Sequence, residues 1–359
     1  MLLAYIIYTF SMQLLVFAGY IRRCIKKNIT IYIAICIVAL ILGLRYNVGN
    51  DYLPYKEIFV FQNFEAVEWG YALLNRVLYE LGFHYTSIFI LIAFLQFFFF
   101  YKGVEKYPSI LPYAFFFYFT TIYIFFTLNG MRQALAFSMF IYALSFIHAG
   151  KYWRYILILL IASSIHKSAL ILVPLVIFID KNLFKNRVIQ YSLFFLTFVY
   201  GKVFQNLIWS NFAFISSITG YGDYAEGIET LKQVNWAKNG GIGFILWMIV
   251  DCWVIYYYKK LVSCYKNTAI LAFYNLYFIG LLLTNCIQGT YLDRANVYFS
   301  NIRIIIYAFF FLFIFEKNKS IYTIYNKFAA LVLSVVLLVF FYMAIYNKAG
   351  MCAPFQFIF

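Results

Sequence analysis

The chain has 359 residues, 65% hydrophobic and 11% charged, whereas soluble domains are about half apolar and a quarter charged, so water is excluded as its main solvent. A net charge of +15 would suggest nucleic acid in a soluble protein, but the basic residues here fall in short loops between apolar runs, where they report orientation. The six cysteines form no CxxC pair and argue against a disulfide framework or a zinc site.

The first apolar run, 2–20, has no basic residue before it and is followed by Arg22, Arg23, Lys26 and Lys27. That order is the reverse of a cleavable leader and places the amino terminus outside. Further runs follow at 30–44, 84–101, 111–128, 133–148, 152–165, 168–180, 188–209, 241–258, 268–287, 298–315 and 328–346. A helix needs about 20 apolar residues to cross the bilayer. The expected fold is therefore an all-α polytopic integral membrane protein of about twelve transmembrane helices (about 11 to 14), a single transmembrane domain over 1–359 with no separate soluble domain.

The runs at 152–165 and 168–180 are short enough to be one broken span. Merging them would move Lys181, Lys185, Arg187, Lys259, Lys260 and Lys266 outside, against the positive-inside rule. A hairpin is expected instead, with His166 near its outer turn.

Two outer segments, 45–83 and 210–240, are long enough for structure of their own. In the first, Tyr71, Leu74, Leu78 and Leu81 recur at helical spacing while Asn75, Arg76, Tyr79 and Glu80 take the other faces. An amphipathic helix is expected there, lying on the interface or capping a cavity. In the second, Asp223, Glu226 and Glu229 read as solvated loop surface.

Polar residues cluster abruptly where the second run ends, at Arg45, Asn47, Gly49, Asn50, Asp51, Tyr52 and Tyr55, with Glu68 further on. Arg45 with Asp51 reads either as an interfacial ion pair or as part of a site, because ionisable residues at span ends face water or a partner. Arg132 sits in the very short turn Asn129-Gly130-Met131-Arg132-Gln133. It either snorkels to lipid phosphate or holds a diphosphate with the exposed amides of a helix start.

His166, Lys167 and Ser168 form the hairpin tip, where a histidine is either a hydrogen-bonded structural residue or a proton acceptor at neutral pH. Asp293 and Arg294 precede Tyr298 in the last outer loop. Three arginines on one side of the membrane (Arg45, Arg132 and Arg294), with Asp51, Glu68 and Asp293 among them, suggest an anionic or phosphorylated ligand. No Gly-rich phosphate loop, paired-histidine metal motif or G-x-S-x-G elbow is present, so nucleotide-driven or zinc chemistry has no support.

The order of these features resembles the EpsG family of Wzy-type bacterial polysaccharide polymerases. The resemblance rests on Arg45 to Tyr55 with Gly49 and Asp51, on Glu68, Gly70 and Tyr71, on Arg132 with Gln133 and Ala136, on His166 with Ser168 and Ala169, and on Arg294 with Tyr298 and Phe299. It runs from about residue 40 to residue 300.

It implies a glycosyltransferase of the bacterial cytoplasmic membrane, GT-C-like in arrangement, that joins undecaprenyl-diphosphate-linked repeat units at the outer face. Arg45, Arg132 and Arg294 would bind the diphosphate, and His166, Asp51 or Glu68 would serve as base. Tyr52, Tyr55, Gln133, Asp293 and Tyr298 are the candidate glycan contacts. No cofactor is expected, arginines standing where a metal could. Expected partners are the bilayer, the lipid-linked glycans, and chain-length regulator and flippase proteins, with no nucleic acid.

Two other classes remain in play. A lipid-linked oligosaccharide flippase would carry charges along a cavity reachable from both sides, whereas here they gather at outer span ends, Asp251 being the clearest ionisable residue deep within a run. A membrane acyltransferase would open its key histidine toward the cytoplasm.

Overall fold

The computed structural model describes residues 1–211, 242–287, 292–318 and 323–359, and among these residues the fold is helical throughout, with no strand beyond one isolated bridge between Arg45 and Phe357. The apolar runs read from the sequence are mainly helical, but 111–128 and 298–315 are each broken into more than one helix and 168–180 is a 3-10 helix that ends at Ile177. Among the described residues five helices are long and apolar enough to cross a membrane: Leu2–Ile25 (α1), Thr86–Val104 (α5), Ile270–Ile287 (α12), the stretch Asp293–Lys317 and Thr323–Tyr346 (α15). Shorter apolar helices lie at Ile29–Gly43 (α2), Met131–Ile147 (α8) and Tyr152–Ile165 (α9), with a 3-10 helix at Lys167–Ile177. The protein is thus a multi-pass membrane protein. The acidic positions of the 210–240 segment lie outside the described residues.

The run at 111–128 is not the single span expected. It is two helices, Leu111–Thr120 (α6) and Tyr123–Asn129 (α7), bent by 67°. At the break Ile122 takes φ 59, a left-handed conformation that a β-branched residue rarely adopts. The hydroxyls of Thr120 and Thr121 donate to the carbonyls of Phe116 (3.0 Å) and Phe117 (2.7 Å), the kind of side-chain intrusion that bends helices. Where α7 meets α8, Gln96 of α5 donates to the carbonyls of Thr127 (3.3 Å) and Met131 (3.0 Å). A buried amide there supplies what lipid cannot.

The residues group into two compact units. The first holds Met1–Asp180, Asn267–Ala269 and Tyr307–Phe359. Its centre is α8, buried on nearly every face and packed against α5 and α9, with α2 also against α5 and α1 against α2 and α6. Between α2 and α5 the chain forms two helices, Tyr52–Val60 (α3) and Trp69–Glu80 (α4). A helix is present where one was expected, but its buried face differs: Asn75, expected on the polar side, is buried with Gly70 and Tyr71 where α4 packs on α9, and Leu81 of the expected apolar stripe is exposed.

The segment after α15 returns to the exit of α2. Tyr46 N donates to Gln356 O (2.8 Å), Ile358 N to Leu44 O (3.1 Å) and Gly49 N to Met351 O (3.0 Å), while the Tyr8 hydroxyl donates to Cys352 O (2.7 Å). Gly49 sits at φ 101, a conformation that only glycine adopts freely.

The second unit holds Lys181–Lys266 and Ile270–Ile306. In it Arg187–Ser210 (α10), Ile242–Cys264 (α11) and α12 pack together, and Asp293–Ser300 (α13) packs on α12; of the next helix, Arg303–Leu312 (α14), only the residues up to Ile306 belong to this unit. Asp251, buried on α11, accepts a hydrogen bond from the Tyr277 hydroxyl at 2.6 Å.

Candidate functional site

Glu68 is the residue just before α4, and its place is set by how that helix is seated. A Cβ added at Gly70 would run into the hydroxyl and carbonyl of Ser164 on α9, so glycine lets the two helices touch there. Glu68 and His166 each lie two residues beyond that contact point. The close approach thereby brings the start of α4 to the end of α9. We expect Gly70→Ala to separate the helices and lower activity at least tenfold while the chain stays in the membrane. Activity assays beside membrane quantification check this, and full activity would show that the contact does not set the site.

The α9 helix stops at Ile165 because His166 turns extended, at φ −154 and ψ 111, before the 3-10 helix starts at Lys167. Pro174 within that second arm lacks the amide an α-helix needs, and the Tyr155 hydroxyl ties the arms by donating to Leu172 O at 2.6 Å. The hairpin with His166 at its turn is as read from the sequence.

Three side chains meet there. The Glu68 Oε1 atom lies 3.2 Å from His166 Nδ1 and accepts from the Lys167 amide at 3.1 Å, while Oε2 accepts from Arg132 Nη1. Arg132 opens α8, with its guanidinium over the rings of Tyr55 (5.9 Å) and Tyr71 (5.7 Å), which adds cation–π attraction. The Glu68 side chain is 10% exposed, that of His166 20% and that of Arg132 24%. The group is shielded yet open to a ligand.

Burial pushes the Glu68 carboxyl up, but the His166 ring, the Arg132 charge, its own amide and that of Lys167 outweigh it and hold the group at about 2. It therefore stays ionised near neutrality. A carboxyl held below its ordinary 4.5 stabilises the fold fully above that value and loses this contribution as pH falls toward 2. We expect the melting temperatures of the wild type and Glu68→Gln to converge over that pH range. A constant gap between the two thermal-shift curves would contradict it.

Arg45 does a different job from the one expected. It is 1% exposed, and its Nε, Nη1 and Nη2 atoms donate to the carbonyls of Val48 (3.1 Å), Leu42 (3.0 Å) and Leu128 (3.0 Å), with the Phe89 ring 4.7 Å away. Those donors close the end of α2 and the turn before α8 and are not offered to a ligand. Asp51 is half-buried, and its amide donates to Asn129 Oδ1 at 3.4 Å. That asparagine also donates to Phe125 O and Gly350 O, so it braces the turn that carries Arg132.

Tyr52 is buried, with its hydroxyl 3.2 Å from that of Tyr85 and its ring stacked on Phe89. Tyr55 is buried against Arg132, and Gln133 is buried on α8. In the second unit, Arg294 on α13 is exposed, Asp293 is half-buried and Tyr298 is buried. Sequence reasoning missed Gln96 and Ser164. Gln96 could have been found, since one amide within a run of phenylalanines demands a polar partner.

Among the described residues no group of three or more His, Cys, Asp or Glu side chains is placed to hold a metal ion. The sequence model described as EpsG family matches residues 28–357, nearly the whole chain. Neither a curated protein nor a solved structure gives a significant match.

Proposed function

The chain belongs to the EpsG family, which covers Wzy-type polymerase-like membrane proteins, and from that premise we propose that it polymerises lipid-linked oligosaccharide repeat units into a surface polysaccharide at the outer face of the bacterial cytoplasmic membrane. The observation that carries this reading is the Glu68–Arg132–His166 cluster, a combination of oriented base and arginine that glycosyl transfer from a lipid diphosphate requires.

In the proposed reaction a hydroxyl of one unit attacks the anomeric carbon of the growing chain. A new glycosidic C–O bond forms, and the bond to the diphosphate breaks, its electron pair leaving with undecaprenyl diphosphate. With the ring proton on Nδ1, His166 donates to Glu68 and keeps the Nε2 lone pair free to take the hydroxyl proton.

Glu68, ionised and committed to three donors, fixes that tautomer and is too weak a base itself. Arg132 faces the departing negative charge. The same reading takes the apolar runs as about twelve crossings with the amino terminus outside, which sets this cluster on the outer side.

The test is glycan chain length on the carrier lipid in cells whose own copy is replaced by Arg132→Ala or His166→Ala, each confirmed in the membrane. Loss of long chains with single units retained outside supports a polymerase. Units trapped inside point to a flippase, and unchanged chains leave both residues structural.

A further inference from the structure

A diphosphate carries more negative charge than the arginines placed so far can offset. Arg45 has its donors on backbone carbonyls. Arg132 is already paired with Glu68, so that pair is close to neutral. Of the remaining cations in this segment, Lys56 lies over the Tyr85 ring at 5.0 Å and Arg76 over the Phe64 ring at 5.9 Å. Arg294 belongs to the second unit.

Lys167 is placed otherwise. Its amide is bonded to Glu68 Oε1 at 3.1 Å, its side chain is exposed, and it follows His166 directly. Its flexible four-carbon stem, ending in three donors, extends from the same turn that carries His166.

Resting on the reading above, we infer that Lys167 is a substrate-binding residue whose ammonium holds the phosphate oxygens of the polyprenyl diphosphate and gives the cluster its net positive charge. Glu68 then has a second task. By taking the Lys167 amide it fixes the backbone from which the ammonium extends, so base and cation are registered against one carboxylate. The Lys167 charge acts on a group present in both donor and leaving group. Its loss is therefore expected mainly in binding, with the proton transfer at His166 left intact.

Lys167 is exposed and its stem is not part of the core, so substitutions there should leave the fold unchanged. The experiment is binding of undecaprenyl diphosphate to the purified full chain in phosphatidylcholine nanodiscs, comparing wild type, Lys167→Ala and Lys167→Arg, then repeating the series with phosphatidylglycerol. A charged hydrogen bond lost at this site weakens binding by about 10- to 100-fold.

We expect that loss for Lys167→Ala in both lipids, near-complete recovery for Lys167→Arg, and a wild-type affinity that falls with salt. Equal binding by wild type and Lys167→Ala would overturn the inference while leaving the polymerase reading standing. An effect confined to phosphatidylglycerol would overturn it too, by assigning the ammonium to a phospholipid headgroup. Absence of binding by the wild type would overturn the reading itself, and the inference with it.

Discussion

Glu68→Gln is expected to lower polymer formation by about 10²- to 10⁴-fold, the span typical of a positioned base, although glutamine matches glutamate in size. The amide would no longer hold His166 in the tautomer that leaves Nε2 free, nor offset the Arg132 charge. His166→Ala should cost a similar factor. The double variant should cost little more than either alone, because residues acting as one unit are not additive. Turnover with purified protein, normalised to folded material, measures all three. Independent, multiplying losses would show that the two side chains act separately.

Arg45→Ala should fail in another way, by depleting folded protein rather than by slowing chemistry. The substitution leaves the carbonyls of Leu42, Val48 and Leu128 buried without their donors, at about 1–3 kcal/mol for each group left unsatisfied. Against a total stability of about 5–15 kcal/mol that loss is severe. Lysine should rescue little, since its point charge cannot serve three separated carbonyls. Arg132→Ala, by contrast, should keep its membrane level and lose activity. Thermal stability in detergent beside membrane abundance separates the two arginines, and a stable, abundant Arg45→Ala protein without activity would return Arg45 to the ligand.

The class of fold was legible because the bilayer imposes long apolar runs, and those runs are mainly helical among the described residues. The bend at Ile122 was not, since it arises from hydroxyls and a left-handed residue inside a run of uninterrupted hydropathy. The members of the cluster were legible one by one: Glu68 before a helix, Arg132 in a turn too short for a charge, His166 at a hairpin tip. Their meeting was not, because it depends on Gly70 touching Ser164, a contact between helices far apart in sequence. The sequence also offered Arg45 and Arg132 as equals. Burial and donor geometry separate them, and neither is visible in the residue order.

If the Glu68–Arg132–His166 cluster joins lipid-linked repeat units, as proposed, the purified chain alone should lengthen them. The most direct measurement is the product ladder formed by the purified chain in nanodiscs supplied only with undecaprenyl-diphosphate-linked repeat units, run beside His166→Ala and Arg132→Ala. The wild type should give a ladder of increasing length and both variants single units alone. Single units alone from a folded wild type, or a full ladder from His166→Ala, would contradict the proposal.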